Sequence, residues 1–370
     1  MLGEQKLSSV AANSIMEQYP VLAEHPLISD NWNYESGCML KAFSLVYERT
    51  NDERYLRYVQ HNMDAYVQAD GTIRTYRLED YNLDQINAGK VLLFLHRHTK
   101  EKKYWLAAER LFAQLQGHPR TDEGSFWHKK IYPYQVWLDG LYMAMPFLTE
   151  YAKLSGKHEL WDDAAAQLVA AERLTRNAAT GLLHHAYDEN REQEWAHPEH
   201  GRSPHAWGRA VGWYSMALVD VLDDLPLQHP KRGLLIGLYE RLTAALVRVQ
   251  DSKSGLWHQV LDQGVRTGNY VESSCSAMIV YAMMKALNRG YISESYREAA
   301  MKGFQGLATH AVEIDESGHL HLKGINRVAG LGGTPYRDGS FTYYVSEAVV
   351  TDDPKGVAPF IMACLEREVL

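Results

Sequence analysis

The sequence predicts an all-α protein with an (α/α)6 barrel, in which six helical hairpins close into a ring. Apolar residues recur at spacings of three and four through most of the chain, and sustained alternation of apolar and polar residues is nearly absent. A similar glycine-containing phrase also returns between alternate helices: Gly71, Gly124, Gly181, Gly255 and Gly318 follow one another at intervals of 53, 57, 74 and 63 residues. A repeat of this length, with two helices per unit, is typical of stacked helical hairpins.

The periodic segments define the predicted helices and their connectors. In order, the helices span 7–19, 35–49, 52–67, 84–98, 101–116, 135–155, 157–174, 207–223, 230–250, 272–289, 293–311 and 354–367. The repeated glycines suit turns that need a positive φ, and the apolar and aromatic residues after them suit short β segments. An open solenoid of the tetratricopeptide or HEAT kind is the alternative. Its units are shorter and more even, so we favour the closed ring, and because no low-complexity linker divides residues 1–370 we expect one domain.

Composition excludes several classes of protein. The chain has 38 basic and 46 acidic residues and a formal net charge of -8, which argues against a nucleic-acid-binding protein. Its three cysteines lie far apart in sequence, so we expect reduced, buried thiols. The N-terminal residues show no signal peptide, and no apolar stretch is long enough to span a bilayer. We therefore expect a cytoplasmic monomer without a membrane partner.

Candidate functional residues cluster at the starts of the predicted inner helices. The clusters are 33–37, 81–89, 124–146 and 203–214, with a glycine-rich loop at 330–340 as a fifth candidate. The glycine-rich loop lacks the Lys-Ser/Thr ending of a phosphate loop and a preceding strand, which excludes nucleotide binding. No His, Cys or Asp spacing of the zinc kind occurs, so no metal site is predicted.

Two carboxylates in these clusters are candidates for acid/base chemistry. Asp139 lies on or beside the apolar stripe of the predicted helix 135–155, past its first turn, where a charge is costly unless it is paired or used. Asp84 is open to a second reading, since it could simply cap a helix. Trp207 and Trp213 could likewise be core residues, whereas Arg209 between them needs a partner if it is buried.

Together these residue types suit an acidic sugar as substrate. Carboxylates are the usual acid/base groups of glycosidic chemistry. Tryptophan faces stack on the apolar surfaces of sugar rings, and Arg or Lys can bind a carboxylate through charge-assisted hydrogen bonds. The residues alone therefore predict a barrel pocket that binds an acidic sugar.

Four segments carry a resemblance to a known family. Residues 128–144, 207–214, 254–263 and 329–340 resemble the signatures of the unsaturated rhamnogalacturonyl hydrolases, glycoside hydrolase family 105, and the similarity covers nearly the whole chain. The segment Trp137-Leu138-Asp139-Gly140 is the most specific of these motifs. The related unsaturated glucuronyl hydrolases share the fold and the chemistry but are less similar.

The resemblance implies a fold, a reaction and a set of site residues. It implies an (α/α)6 barrel that hydrates the C4=C5 double bond of a non-reducing unsaturated galacturonyl residue, left by a pectin lyase, and releases a rhamnose-ended product without a metal or organic cofactor. Asp139 is implied as the general acid/base, with Asp84 beside it. The implied substrate-binding residues are His128, Lys129, Trp137, His185, Trp207, Arg209, Trp213, Tyr34 and Gly37.

These roles carry two physical expectations. Asp139 has to be protonated when the substrate arrives, so we expect burial and a nearby ionised Asp84 to raise its pKa. We also expect Arg209 to bind the uronate carboxylate. Two other classes stay open: a conventional glycosidase that acts on saturated sugars with the same two carboxylates, and a non-enzymatic helical scaffold.

Overall fold

A computed structural model describes residues 6–370. The helices are α1 Leu7–Gln18, α2 Tyr34–Thr50, α3 Glu53–Asp64, α4 Gly89–Thr99, α5 Lys102–Gly117, α6 Leu138–Ser155, α7 Glu159–Thr175, α8 Gly208–Asp224, α9 Arg232–Arg248, α10 Ser273–Asn288, α11 Arg297–Gly306, α12 Phe341–Ser346 and α13 Pro354–Arg367. The strands are β1 Gln135–Trp137, β2 Ala186–Asp188, β3 Val312–Ile314, β4 Leu320–Leu322, β5 Ile325–Asn326 and β6 Val349–Val350. They form three two-stranded antiparallel sheets, β1–β2, β3–β4 and β5–β6.

Six helices form the inner ring of a barrel. The helices α2, α4, α6, α8, α10 and α13 each pack against the next, and α13 packs against α2 to close the ring. The helices α1, α3, α5, α7, α9 and α11 lie outside, each against an inner helix. The predicted (α/α)6 barrel is thereby confirmed, and the open solenoid is excluded because the last inner helix contacts the first.

The repeated glycines lie in the turns that lead from an outer helix to the next inner helix. All five have positive φ, with values from 75° to 90°. Backbone hydrogen bonds close each turn, for example from Thr121 N to Ser125 O at 2.8 Å and from Asp251 N to Leu256 O at 2.9 Å. Glycine adopts positive φ without a Cβ penalty, so the predicted turn geometry is confirmed. Since inner helices run in one direction around the ring, these turns all lie at the same end of the barrel.

Short backbone pairings join the connectors at that end. Asn82 pairs with Lys129, β1 pairs with β2, and Trp207 pairs with Val260. Between these pairs, Leu138 N donates to His185 O at 3.1 Å. Each connector is therefore tied to its neighbours, and the starts of successive inner helices are held in fixed relation.

Two predicted helix boundaries are wrong. Residues 83–86 form a separate 3-10 turn before α4, in which the Asn82 side chain accepts from Asp84 N. Residues 135–137 are the strand β1 rather than the first turn of α6. Val136 and Trp137 favour strands, and their pairing with β2 outweighs the helical spacing of the apolar residues.

One hydrophobic core runs through the ring, with buried residues from Val10 to Leu365. Cys38, Cys275 and Cys364 are free and buried, as predicted. No helix within residues 6–370 combines the length and the apolar character needed to cross a membrane.

Candidate active site

A cavity of about 490 Å³ opens at the connector end of the barrel. Its walls are rich in aromatic and charged side chains, a composition that suits a polar ligand with apolar faces. Nine of the predicted site residues line it: Tyr34, Asp84, His128, Lys129, Trp137, Asp139, Trp207, Arg209 and Trp213.

Asp84 is positioned by the pairing of residues 81–83 with 128–130. Leu83 N donates to His128 O at 3.1 Å, which brings the 3-10 turn beside the connector that carries Lys129. The Lys129 ammonium lies 2.6 Å from Oδ2 of Asp84, and Nε2 of His128 lies 3.7 Å from Oδ1. Asp84 does not cap a helix. It forms a largely buried ion pair in the cavity wall.

Asp139 lies at the point where β1 continues into α6. Trp137 is the N-cap residue and Leu138 the first helical residue, so Asp139 is in the first turn of α6. The prediction that it falls past the first turn is wrong, because β1 occupies the residues assigned to that turn. A helix N-terminus stabilises a negative charge, so this position favours an ionised carboxylate.

His185 approaches Asp139 from behind the cavity wall. Its Nε2 lies 3.2 Å from Oδ2 of Asp139, off the direction of a well-aligned hydrogen bond, and its Nδ1 lies 2.8 Å from the hydroxyl of Tyr344. Burial raises the pKa of Tyr344 well above its ordinary value, so the phenol stays protonated and can donate to Nδ1. This tautomer places the imidazole N–H on Nε2, towards Asp139.

The pKa of Asp139 lies below its ordinary value. Burial raises it, but the contact with Nε2 of His185, 3.2 Å from Oδ2, outweighs burial. The expectation of a raised pKa in the free enzyme is therefore wrong. That expectation considered only burial and repulsion by an ionised Asp84. In the structure, His185 faces Asp139 directly, and Asp84 is paired with Lys129.

Three stacked rings form one aromatic wall. The ring of Trp137 stacks on both His128 and Tyr132, with centroids 4.7 and 4.9 Å away and planes within 15° and 10° of parallel. Burial lowers the pKa of His128 to about 4, so its imidazole is neutral at pH 7. The wall therefore offers flat apolar faces beside the Asp84–Lys129 pair.

Trp207 and Trp213 belong to the facing wall and also to the core. Trp207 stacks on Tyr344 with centroids 6.0 Å apart, and Trp213 stacks on Tyr142 at 5.0 Å. Both tryptophans are almost fully buried, yet both line the cavity. The two sequence readings, core packing and pocket lining, therefore apply together.

Arg209 is largely engaged by the protein. It is 1% exposed, its Nε donates to Ser274 Oγ at 2.8 Å, and its Nη2 lies 3.5 Å from the buried carboxylate of Glu272. The carbonyls of Asn326 and Arg327 accept from its remaining nitrogens. These contacts leave little of the guanidinium for a bidentate bond to a substrate carboxylate.

Gly37 does not line the cavity. A Cβ atom there would lie 2.7 Å from Oδ1 of Asn87 and 2.9 Å from Cα of Ala88, so the glycine allows α2 to pack closely against the start of α4. His185 is also absent from the cavity surface and reaches it only through Asp139.

The structure adds residues that were not among the predicted site residues, although Glu35, Tyr132 and Arg337 lie in the candidate segments 33–37, 124–146 and 330–340. Glu35, Tyr132, Arg337 and Lys355 line the cavity, and Tyr344 supports His185. Burial raises the pKa of Glu35, and its Oε2 has no hydrogen-bond partner among residues 6–370. Glu35 lies inside the predicted cluster 33–37, so the sequence located the segment but did not single out this residue. Lys355 comes from a helix with no motif, and only the fold brings it to the site.

Comparisons with known proteins identify the family and agree with the fold. The sequence profile of Glycosyl Hydrolase Family 88 matches residues 7–370. A solved structure of a family 105 glycoside hydrolase from C. acetobutylicum ATCC 824 is 45% identical, covers 99% of this chain and 100% of its own, and superposes with a TM-score of 0.95.

A curated relative, the unsaturated rhamnogalacturonyl hydrolase YesR of Bacillus subtilis, is 30% identical over 71% of this chain and 74% of its own. The unsaturated glucuronyl hydrolase of Bacillus sp. GL1 shares the fold, with 15% identity, a TM-score of 0.69 and coverage of 98% of this chain and 95% of its own. The resemblance seen in the sequence is confirmed: the chain is a glycoside hydrolase that belongs to Glycosyl Hydrolase Family 88 and is similar to the family 105 enzymes.

Proposed function

We propose that this enzyme hydrolyses unsaturated galacturonyl-rhamnose oligosaccharides by hydrating the C4=C5 double bond of the non-reducing sugar. The supporting observation is a carboxylate, Asp139, in a cavity with aromatic walls that also contains a second carboxylate, Asp84, paired with Lys129. The B. subtilis relative, an unsaturated rhamnogalacturonyl hydrolase, supports the same class of substrate.

In this mechanism Asp139 acts as the general acid and base. It donates a proton to C4, positive charge develops at C5 and the ring oxygen, and Asp139 then takes a proton from the water that adds to C5. The hemiketal at C5 opens, and collapse at C1 releases the neighbouring sugar. Asp84 stabilises the developing cation through its negative charge. Because the reacting centre is C5, the usual separation rule for retaining and inverting carboxylates does not apply.

The low pKa of Asp139 in the free enzyme adds a condition. Substrate has to raise that pKa as it binds, by expelling water and by bringing its own carboxylate near Asp139. Lys129 and Lys355 supply positive charge around the cavity for that carboxylate, and each also lies beside an aspartate with which it is paired, Asp84 and Asp353. Tyr34 and the tryptophans supply apolar surface for the ring.

An absorbance assay tests the proposal. On unsaturated galacturonyl-rhamnose, we expect the ultraviolet absorbance of the double bond to disappear with turnover, and in D2O we expect deuterium at C4 of the product. Release of rhamnose with the double bond intact would instead show attack at the anomeric carbon. A parallel assay on unsaturated glucuronyl disaccharides measures the preference between the two uronates.

Activity on saturated substrates alone would contradict the proposal and support the conventional glycosidase. We also expect the protein to act as a monomer in the cytoplasm, with no cofactor. Size-exclusion chromatography with light scattering tests the first of these expectations, and full activity after dialysis against a chelator tests the last.

A further inference from the structure

The glycine-rich loop 330–340 forms a tight hairpin that packs around the side chain of Arg337. Residues 332 and 337 pair through backbone hydrogen bonds of 2.9 and 3.3 Å, and Nε of Arg337 donates to Gly332 O at 2.7 Å. A Cβ at Gly330 would lie 2.3 Å from Nη1 of Arg337, and one at Gly333 would lie 3.0 Å from Nη2. The glycines therefore make room for the guanidinium.

The hydrogen bonds that fix the guanidinium of Arg337 within residues 6–370 do not involve one of its nitrogens, Nη1. Nη2 donates to Leu331 O at 3.1 Å and to the hydroxyl of Tyr132 at 3.0 Å. No acceptor within residues 6–370 takes a hydrogen bond from Nη1. A guanidinium fixed by three bonds, with a free nitrogen, is preorganised to bind an anion.

Arg337 and Tyr132 lie between two cavities. Both line the active-site cavity, and both line a second, outer cavity of about 690 Å³. The outer cavity is otherwise lined by Ile131, Gly333, Thr334, Pro335, Tyr336, Tyr343 and Glu347. It therefore continues the active site outward.

Tyr336 gives the outer cavity a fixed aromatic surface. Its side chain is 41% exposed, although its hydroxyl accepts a hydrogen bond from Trp195 N at 3.1 Å. Ile131, on the other side, is 72% exposed. A large exposed aromatic side chain that is anchored at its polar end suits stacking against a sugar ring.

We propose that this outer cavity binds the leaving part of the substrate, beyond the rhamnose next to the double bond. Tyr336 stacks on a sugar of that part, and the guanidinium of Arg337 binds the carboxylate of its uronic acid. The inference rests on the proposed function, because it needs the unsaturated sugar to occupy the inner cavity. It makes the enzyme selective for acidic oligosaccharides longer than a disaccharide.

Calorimetry on an inactive background separates binding from turnover. We would measure the Kd of an unsaturated galacturonyl-rhamnose disaccharide and of the tetrasaccharide with a second galacturonyl-rhamnose unit, using Asp139→Asn. The tetrasaccharide should bind about five-fold more tightly or better, as one stacking contact and one ion pair provide.

Two variants on that background test the contacts. Tyr336→Ala should remove much of the tetrasaccharide advantage, whereas Tyr336→Phe keeps the ring and should retain it. Arg337→Gln should also reduce the ratio of the two Kd values. A change that Arg337→Gln transmits to the inner cavity through Tyr132 affects both Kd values alike, so it cancels in their ratio.

Equal Kd values for the two oligosaccharides, or a ratio of Kd values that Tyr336→Ala leaves unchanged, would refute the proposal that the outer cavity binds substrate. Turnover of the disaccharide by the unmodified enzyme decides the proposed function separately, because the proposal assigns Tyr336 only to sugars beyond the disaccharide. If neither oligosaccharide binds, both proposals fail.

Discussion

Replacement of Tyr344 by phenylalanine tests whether the chain Tyr344–His185–Asp139 controls the catalytic carboxylate. Both Tyr344 and His185 are fully buried, and their hydrogen bond is 2.8 Å long. Tyr344→Phe leaves Nδ1 of His185 without a partner, which costs about 1–3 kcal/mol. The free imidazole can then move its proton to Nδ1, so that Nε2 presents a lone pair to Asp139 instead of an N–H.

This change should affect the rate and its pH dependence. The loss of a positioned N–H towards Asp139 should lower kcat/KM about 10- to 100-fold, equivalent to about 1.4–2.7 kcal/mol. The pKa of Asp139 should also rise towards its ordinary value, because the contact with Nε2 of His185 is what overcomes burial. A pH profile of kcat/KM, which reports groups of the free enzyme, should therefore show its basic limb at higher pH.

Tyr281→Phe is the matched control. The Tyr281 hydroxyl is buried and donates to Asp220 at 2.6 Å, in the half of the barrel towards the other ends of the inner helices. It should lower the free energy of unfolding by a similar amount without changing the pH profile. If Tyr344→Phe lowers stability like this control but leaves kcat/KM and its pH limb unchanged, the positioning role of Tyr344 is refuted.

Three further changes have defined outcomes. Asp139→Asn should fold normally and lose activity by more than the roughly 10²–10⁴-fold of acid/base help alone, and near-normal turnover would remove Asp139 from its role. Arg209→Ala should lower the melting temperature in addition to any change in KM, because an unpaired buried Glu272 costs about 3–5 kcal/mol; an unchanged melting temperature would contradict the buried pairing. Burial lowers the pKa of His118 and His128 to about 4 each, so the folded state binds fewer protons there than the unfolded chain. Each should contribute about 3 kcal/mol above pH 6.5 that is lost as pH falls towards 4, which urea unfolding at several pH values measures.

The ring and its turns could be predicted because they depend on local patterns. Helical periodicity and the recurring glycines are both readable residue by residue, and the positive φ at Gly124 or Gly255 follows from the same repeat. The strand 135–137 could not be distinguished from a helix start, since its pairing partner, β2, lies about fifty residues later. Short apolar segments do not define their own secondary structure.

The sequence predicts which residues belong to the site better than it predicts the electrostatics of those residues. Asp84, His128 and Lys129 were found as motif residues, but their ion pair depends on backbone pairing between residues 82 and 129. The pKa of Asp139 was predicted in the wrong direction because its sign depends on which partner is closest. Sequence identifies a carboxylate in an apolar context. It does not say whether an imidazole or a second carboxylate faces it.

Ring closure itself contributes to the chemistry. His185 follows the turn at Gly181, whereas Tyr344, its partner, lies 159 residues later, just before the final inner helix. The two meet because α13 packs against α10 and α2 and brings α12, which precedes it and carries Tyr344, to the connector that carries His185. An open stack of the same hairpins would keep Asp139 beside His185 but would leave Nδ1 exposed to water and the tautomer free. The closed barrel therefore does more than form a cavity, since it fixes the hydrogen-bonding state of the residue that sets the charge of the proposed acid.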